Sequence, residues 1–451
     1  MSQSDDLLGL LDGIVARATP GEGVEAYGVD ATETTVKAYD GQVESLASAR
    51  TRGVGIRLIA DARVGYAYSA ALDEAEVAAT LEAARANAAV ASPDEANVLP
   101  PQAELPTMPQ LWDPRFEAVD PADKTDLAIR LEAATRAADS RIKGVDTATY
   151  GDSARTVAIA STKGLRGAYR RCDAYLLVEA LAEADGATTS AYGLDLARVA
   201  DDLDVGAAAA EAAVRATRLL GGRKPPSRRL AVVLDPFATA SFLGVLAGAL
   251  TAEAVQKGRS LFAGKLSERI GAERVTLVDD GRLLDGPAAA PWDAEGVPTG
   301  RTTLVADGVL VGYLHNAYTA AKAGTTSTGN ASRGSFTSPP GISPTNLFLR
   351  PGPDEPETLL ALAGSGFYCQ QVLGVHSGAN PISGDFSVGV AGVMVRDGQL
   401  AEPVREATIA STIPDMLQAL TGVGSDLRFL PFGGGIGGTT LLIDGMTLSG
   451  A

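Results

Sequence analysis

The chain has 451 residues, 45% hydrophobic and 21% charged, with 38 Lys and Arg against 55 Asp and Glu for a formal net charge of −17. This composition excludes a disordered chain, and the length exceeds one small core, so two or three domains are expected. The acidic balance excludes sequence-independent nucleic-acid binding, which needs Lys and Arg to replace counterions.

Asp5 to Ala18 reads as an amphipathic helix, with Leu7, Leu8, Leu11, Ile14 and Val15 on one face. Its acidic start lacks the basic region of a signal peptide. Strands are expected at Val24–Val29, Thr34–Tyr39, Val43–Arg50, Gly53–Ile59 and Val64–Tyr68, with hairpin turns at Asp40-Gly41 and Asp61-Ala62-Arg63. Asp73 to Ala91 is an Ala- and Glu-rich helix. Ser92 to Pro114 holds six prolines and reads as an extended connection. Asp120-Pro121 starts a helix to about Ser140. Strands follow at Val145–Tyr150, Thr156–Ser161, Arg166–Ala180 and Thr188–Tyr192, then a helix from Val205 to Leu220. The two halves of this region look alike in outline, without a sequence repeat strong enough to claim duplication.

Gly221 to Ser227 is the best domain boundary, dividing an N-terminal α+β domain (1–222) from a C-terminal β-rich domain (228–451). The second domain opens with a strand at Leu230–Leu234 and a helix from Pro236 to Gly258. Short strands are expected at Val275–Asp279, Thr302–Ala306, Val309–His315, Asn346–Arg350, Gly366–Val375, Gly384–Arg396 and Thr439–Asp444, with helices near Glu355–Ala363 and Ile413–Leu420. The fold class is therefore α+β, with helices and antiparallel strands first and a curved sheet or open barrel second. The longest apolar stretch, Phe237 to Ala254, is broken by Thr239, Ser241, Gly244, Gly248, Thr251 and Glu253. No membrane span is expected, and a cytoplasmic location is.

Cys172 and Cys369 cannot build a disulfide framework and read as buried thiols. His315 and His376 are the only histidines and stand 61 positions apart. No HExxH or HExxxH pair can exist, and a zinc hydrolase site needs two or three imidazoles on one scaffold. Gly433 to Gly438 satisfies GxGxxG, but a strand rather than a helix follows, which is the wrong setting for a dinucleotide. Cys369 and His376 are near in sequence, yet seven positions impose no geometry for a nucleophilic pair.

Three segments of the second domain are dense in Asn, Ser, Thr, Gly and Pro: 292–299, 327–346 and 376–387. Most such side chains satisfy backbone groups in turns. So many donors would also suit a cleft that holds an extended peptide by its main chain. The cleft candidates are Asn330, Arg333, Asn346, His376, Asn380 and Asp385.

These segments resemble the TldD/PmbA family. The resemblance rests on Asp293, Glu295-Gly296 and Pro298-Thr299; on Leu304-Val305 and Gly308-Val309-Leu310; and on Ser327 to Ala331 and Ser343 to Asn346. It also rests on Gly378 to Pro381, Ser383 to Ser387, Leu442 to Thr447, and Arg52 to Arg57 in the first domain. It implies a two-chain peptidase that degrades or trims unfolded peptides and matures some ribosomally made peptide natural products. One subunit type carries HExxxH and a cysteine ligand; the other, TldE or PmbA, lacks them and completes the cleft.

By that resemblance Leu243 and Gly248 stand where the histidines would be, and Gly244 where the glutamate would be. Residues 426–431 hold no Cys. The implied role is the zinc-free subunit, with no catalytic, cofactor or metal residue of its own and zinc held by a TldD-like partner. The apolar helix then reads as packing, with Gly244 and Gly248 allowing close approach. Two alternatives stay open. One is a peptide-binding or modulator homo-oligomer acting alone. The other is an independent hydrolase using Cys369 and His376, or a metal on His315, His376 and carboxylates.

Overall fold

The computed structural model describes residues 3–430 and 435–450. The first half is one antiparallel sheet with four helices. Its elements in chain order are α1 (Gln3–Val15), β1 (Gly23–Tyr39), β2 (Gln42–Ala60), β3 (Arg63–Ser69), α2 (Glu74–Val90), α3 (Pro121–Ala138), β4 (Ile142–Ser161), β5 (Arg166–Ala184), β6 (Ala187–Ala197) and α4 (Val205–Arg218). The order across the sheet is β3-β2-β1-β4-β5-β6. Asp73, Asp120 and Asp204 cap α2, α3 and α4 by accepting a backbone N–H with their carboxylates.

Several expected strands fuse. Val24–Val29 and Thr34–Tyr39 are one strand, as are Val43–Arg50 with Gly53–Ile59 and Val145–Tyr150 with Thr156–Ser161. The polar residues between them face neighbours rather than breaking the chain; Asp30, for example, accepts both Nε and Nη2 of Arg50 on β2.

The sheet has two distinct faces, as period-2 alternation dictates. Val24, Ala26, Val36 and Ala38 of β1 face the helices. Tyr27 and Val29 face the other way and pack on Trp292, Ala294, Ala331 and Phe336 of the second half.

The likeness of the two halves is a structural repeat. Each is helix, three antiparallel strands, helix, with β1 and β4 adjacent at the centre. Gly65 on β3 lies against α2 where a Cβ would strike the carbonyl oxygen of Ala84; Gly193 on β6 lies against α4, where a Cβ would strike that of Ala208. Both helices thus approach a strand through a glycine. Gly193→Ala is expected to cost about 2–3 kcal/mol in urea unfolding, since backbone must move; a loss below about 0.5 kcal/mol would contradict the close approach.

The second half is built on a closed barrel. Its strands are β7 (Arg228–Leu234), β8 (Gly366–Leu373), β9 (Asp385–Arg396), β10 (Gln399–Thr412) and β11 (Leu441–Ser449). They run in the order β10-β9-β8-β7-β11, and β10 pairs with β11 to close the ring. β7 and β8 are parallel. A four-stranded sheet flanks the barrel, including Leu277–Asp280, Arg301–Ala306 and Leu347–Leu349.

Three expectations are corrected here. The helix from Pro236 to Gly258 is two, α5 (Pro236–Ala249) and a short one at Ala252–Gln256, because Leu250 and Thr251 turn the chain and Thr251 caps the second. The strand Val309–His315 is only Val309–Leu310. Beyond it, Asn316 and Thr319 form a capping box that starts a helix at Ala317–Ala323. The third is β10, which has no counterpart among the expected strands. No helix among the described residues is long and apolar enough to cross a membrane.

Candidate functional site

α5 follows β7 directly. Pro236 occupies its first turn, and the buried Asp235 caps it by accepting the Ala238 N–H at 2.8 Å. Asp235 also receives Nη1 of Arg215 at 2.6 Å, and Arg215 Nη2 donates to the Gln370 carbonyl at 2.9 Å. The same guanidinium stacks 4.0 Å over Phe237. Arg215 belongs to α4, so the first half fixes the start of α5.

One face of α5 is buried through Phe242, Leu243, Leu246 and Ala247. Its opposite face carries Phe237, Ser241, Gly244 and Gly248. Gly244 and Gly248 are exposed, and a Cβ at either would meet nothing within 4 Å. The expectation that they permit close packing is therefore corrected: they leave open space. Beside Gly244 that space is a groove of about 550 Å³. Phe237, Ala240, Ser241 and Gly244 form its floor. Ser190 and Tyr192 of β6 form one wall, and Gln371, Val372 and Leu373 of β8 the other.

The groove is bordered by main chain as well as side chain. β6 ends the six-stranded sheet, and β8 pairs with β7 only through Cys369. Gln371 bridges the walls, its Nε2 donating to the Ser190 carbonyl at 2.8 Å. Burial, with Glu179 beside it, pushes the Tyr192 phenol up to about 12, so it stays a neutral hydrogen-bonding group. Glu179 and Arg215 also line the groove, so the arrangement offers an apolar floor and polar rims that include one acid and one base, and its amide and hydroxyl groups suit a peptide main chain.

The six residues singled out in the sequence fall in three places. Asn330 and Asn346 are buried. Asn330 Nδ2 donates to Asp279 at 2.6 Å and its Oδ1 accepts from Thr328 at 2.7 Å. Asn346 Nδ2 donates to the Asp280 carbonyl and its Oδ1 accepts the Ala288 N–H. Arg333 is enclosed between Tyr27 and Tyr66 and ion-paired to Glu25. The polar atoms of these three serve the fold, which corrects their reading as cleft-lining groups.

His376, Asn380 and Asp385 are exposed in the stretch from the end of β8 to the first residue of β9, where the Asn380 N–H donates to the Asp385 carbonyl. Asn380 accepts the N–H groups of Ile382 and Ser383, and Asp385 accepts the Ser383 hydroxyl. Cys369 is a core residue whose thiol burial pushes well up, and its Sγ donates to the Gln371 carbonyl. It is no partner for the exposed His376, so the nucleophilic pair loses its support. The glycine motif at 433–438 lies partly outside the described residues.

Burial pushes the Asp279 carboxyl up to about 6, against the pull of donors from Asn330 and Thr345. The fold then binds a proton that the unfolded chain releases between about pH 4 and 6. This contribution to stability is full below about pH 4 and is lost as pH rises through about 6. Urea melts of the wild type and Asp279→Asn should show their difference shifting against the wild type by about 2 kcal/mol from pH 4.5 to 7.5; a pH-independent difference would contradict the burial argument.

A buried ion network joins the sheet to the second half. Arg57 of β2 donates to Glu25 at 2.6 Å and to Glu295 at 2.5 Å, and Arg333 pairs with Glu25. Gly53 and Gly55 lie on the same face of β2; a Cβ at either would strike Phe336. The stretch Arg52 to Arg57 therefore shapes a docking surface, with small residues admitting Phe336 and arginine meeting the acids.

Comparison with known proteins gives the same arrangement a lineage. Residues 24–88 match PmbA/TldA metallopeptidase domain 1, residues 114–220 the central domain and residues 227–450 the C-terminal domain. The chain is 28% identical over 409 residues to the metalloprotease PmbA of Escherichia coli O157:H7, covering 90% of this chain and 88% of that one. It is 27% identical to the metalloprotease TldD homolog of Haemophilus influenzae, covering 88% and 87%. A proposed modulator of a DNA gyrase from Thermotoga maritima superposes with a TM-score of 0.90 at 28% identity, covering 98% and 99%. TldE from Thermococcus kodakarensis shares the fold, with a TM-score of 0.86 at 21% identity over 99% of each chain. By these matches along nearly its whole length, the chain belongs to the PmbA/TldD family.

Proposed function

We propose that this chain is the zinc-free, TldE-like subunit of a two-chain metallopeptidase, acting on unfolded peptides. The observation that carries the reading is the open face of α5. Leu243 is buried in the core, and Gly244 and Gly248 present no side chain. The family's zinc does not fit these residues, because none offers a nitrogen, sulfur or oxygen donor. Among the described residues no group of three His, Cys, Asp or Glu is placed to hold a metal ion. No step of hydrolysis is therefore assigned to this chain.

Its own part is to seat the substrate. The groove takes an extended peptide over Phe237 and Gly244, between β6 and the end of β8. Zinc, its water and the general base come from a TldD-like partner. Peptide processing in the cytoplasm, including trimming of ribosomally made peptides, belongs to the same proposal.

The test is cleavage of an unfolded peptide by this chain alone, by an HExxxH-bearing relative alone and by the co-purified pair. The reading expects cleavage only from preparations containing the relative, with this chain raising the rate at least tenfold. Cleavage by this chain alone would overturn it. Peptide binding with no cleavage in any preparation would favour a stand-alone binding protein.

A further inference from the structure

The acid and the base that line the groove over α5 are not alike. Arg215 is already paired with Asp235. Glu25, Glu295, Asp173 and Glu211 also stand where the first half meets the second, and each holds a guanidinium. Glu179 makes no ion pair among the described residues. Its place follows from the register of the sheet. Glu179 of β5 lies directly across from Tyr192 on β6, and the same face of β5 carries Leu177, opposite Leu194. Leu177 and Leu194 pack on the barrel core. On the other side of Glu179, Leu181 stands opposite Ser190, whose carbonyl accepts Gln371. The carboxylate is thus half-buried near the line where sheet meets barrel, in a groove floored by Phe237, Ala240 and Gly244. An uncompensated charge so placed carries a desolvation cost, which an incoming cation would offset.

We propose that Glu179 receives a Lys or Arg side chain of the bound peptide, so that the groove selects cationic unfolded segments. The proposal rests on the peptide reading of the groove. An extended peptide turns alternate side chains to opposite sides. One directed at β6 lays its methylene stem on the apolar floor and brings its charged head to Glu179, with Tyr192 beside it. A peptide carboxylate gains little in the same groove, since Arg215 is already held by Asp235 at 2.6 Å and by the Gln370 carbonyl at 2.9 Å. The formal net charge of −17 draws the same class of peptide towards the chain.

The experiment uses the full chain and short Ala- and Ser-based peptides with a blocked N-terminus, differing at one central position: Lys, N-acetyl-lysine or Glu. A further peptide carries N-acetyl-lysine and a free N-terminus. Calorimetry should find the Lys peptide bound at least about tenfold tighter than the N-acetyl-lysine and Glu peptides. Glu179→Gln should remove most of that preference, which an effect of net charge alone would not do. Gly244→Trp should weaken every peptide. Glutamine keeps the size of the side chain, and an unchanged far-UV spectrum confirms folding. Equal binding of the Lys and N-acetyl-lysine peptides by the wild type, with Gly244→Trp weakening both, would overturn the proposal and leave the peptide reading of the groove standing. A Lys preference that survives Glu179→Gln, or tightest binding of the peptide with the free N-terminus, would also overturn it. Binding of none of the peptides would overturn the groove reading and the proposal together.

Discussion

Arg57→Ala is expected to destabilise the protein by about 3–5 kcal/mol, a larger loss than from any exposed ion pair in the molecule. Glu25 and Glu295 are fully buried and Arg57 is 6% exposed, so water cannot replace the guanidinium. Glu25 would keep Arg333. Glu295 would keep the Ala317 N–H at 2.8 Å, and a buried carboxylate left with a neutral donor in place of a guanidinium carries a large desolvation cost. The loss should appear as a lower urea midpoint and as earlier proteolysis between the sheet and the barrel, because Arg57 and Glu295 lie on opposite sides of that junction. Arg57→Lys should recover less than half, since an ammonium cannot reach both acids as a planar fork does. Arg17→Ala, at a pair whose Glu74 is 87% exposed, should cost under about 1 kcal/mol. An Arg57→Ala loss of that small size would show that the network does not hold the halves together.

The second large effect is expected at Gly244, and it runs the other way on stability. Gly244→Ala should stabilise α5 by about 0.5–1 kcal/mol, because an exposed mid-helix glycine costs backbone entropy and a methyl meets no neighbour. Gly244→Trp should fold as well as the wild type yet fill the groove over α5. Paired with the HExxxH-bearing subunit, it is expected to lower kcat/KM for an unfolded peptide by about a hundredfold, a barrier change of about 2.7 kcal/mol. Unchanged turnover in a folded, paired Gly244→Trp would mean that the peptide does not pass over α5.

Much of the helical framework is legible in the sequence because its signals are local. Asp73, Asp120-Pro121 and Asp204 mark three helix starts, and each cap forms. The Asp40-Gly41 turn is equally plain, with Asp40 at φ 52° and Gly41 at φ 74°. What stays hidden depends on partners distant in sequence. Asp30 looks like a strand breaker until Arg50 and Arg52 are placed beside it. β10 carries Glu402, Pro403, Arg405 and Glu406 on a half-exposed strand, and Glu406 at φ 50° interrupts its alternation, so no period-2 pattern announces it.

The site divides in the same way. Motif spacing finds the polar segments but not the direction of their side chains. Asn330 and Asn346 turn inward because Asp279, Asp280 and Ala288 need partners there. The groove itself is lined by residues with no motif at all: Tyr192, Phe237, Gly244 and the Gln370-Gln371 pair. Only that pair is a readable signal, two adjacent amides within an otherwise largely apolar strand. Gly244 and Gly248 stand out in the helix, but a glycine in sequence does not say whether it faces a neighbour or a void.

Zinc content of the co-purified pair tests the central claim most directly. Metal analysis of this chain alone, of the HExxxH-bearing relative alone and of the two together should find one zinc ion per pair, all of it following the relative when the chains are separated. Stoichiometric zinc retained by this chain, accompanied by peptide cleavage, would contradict the account.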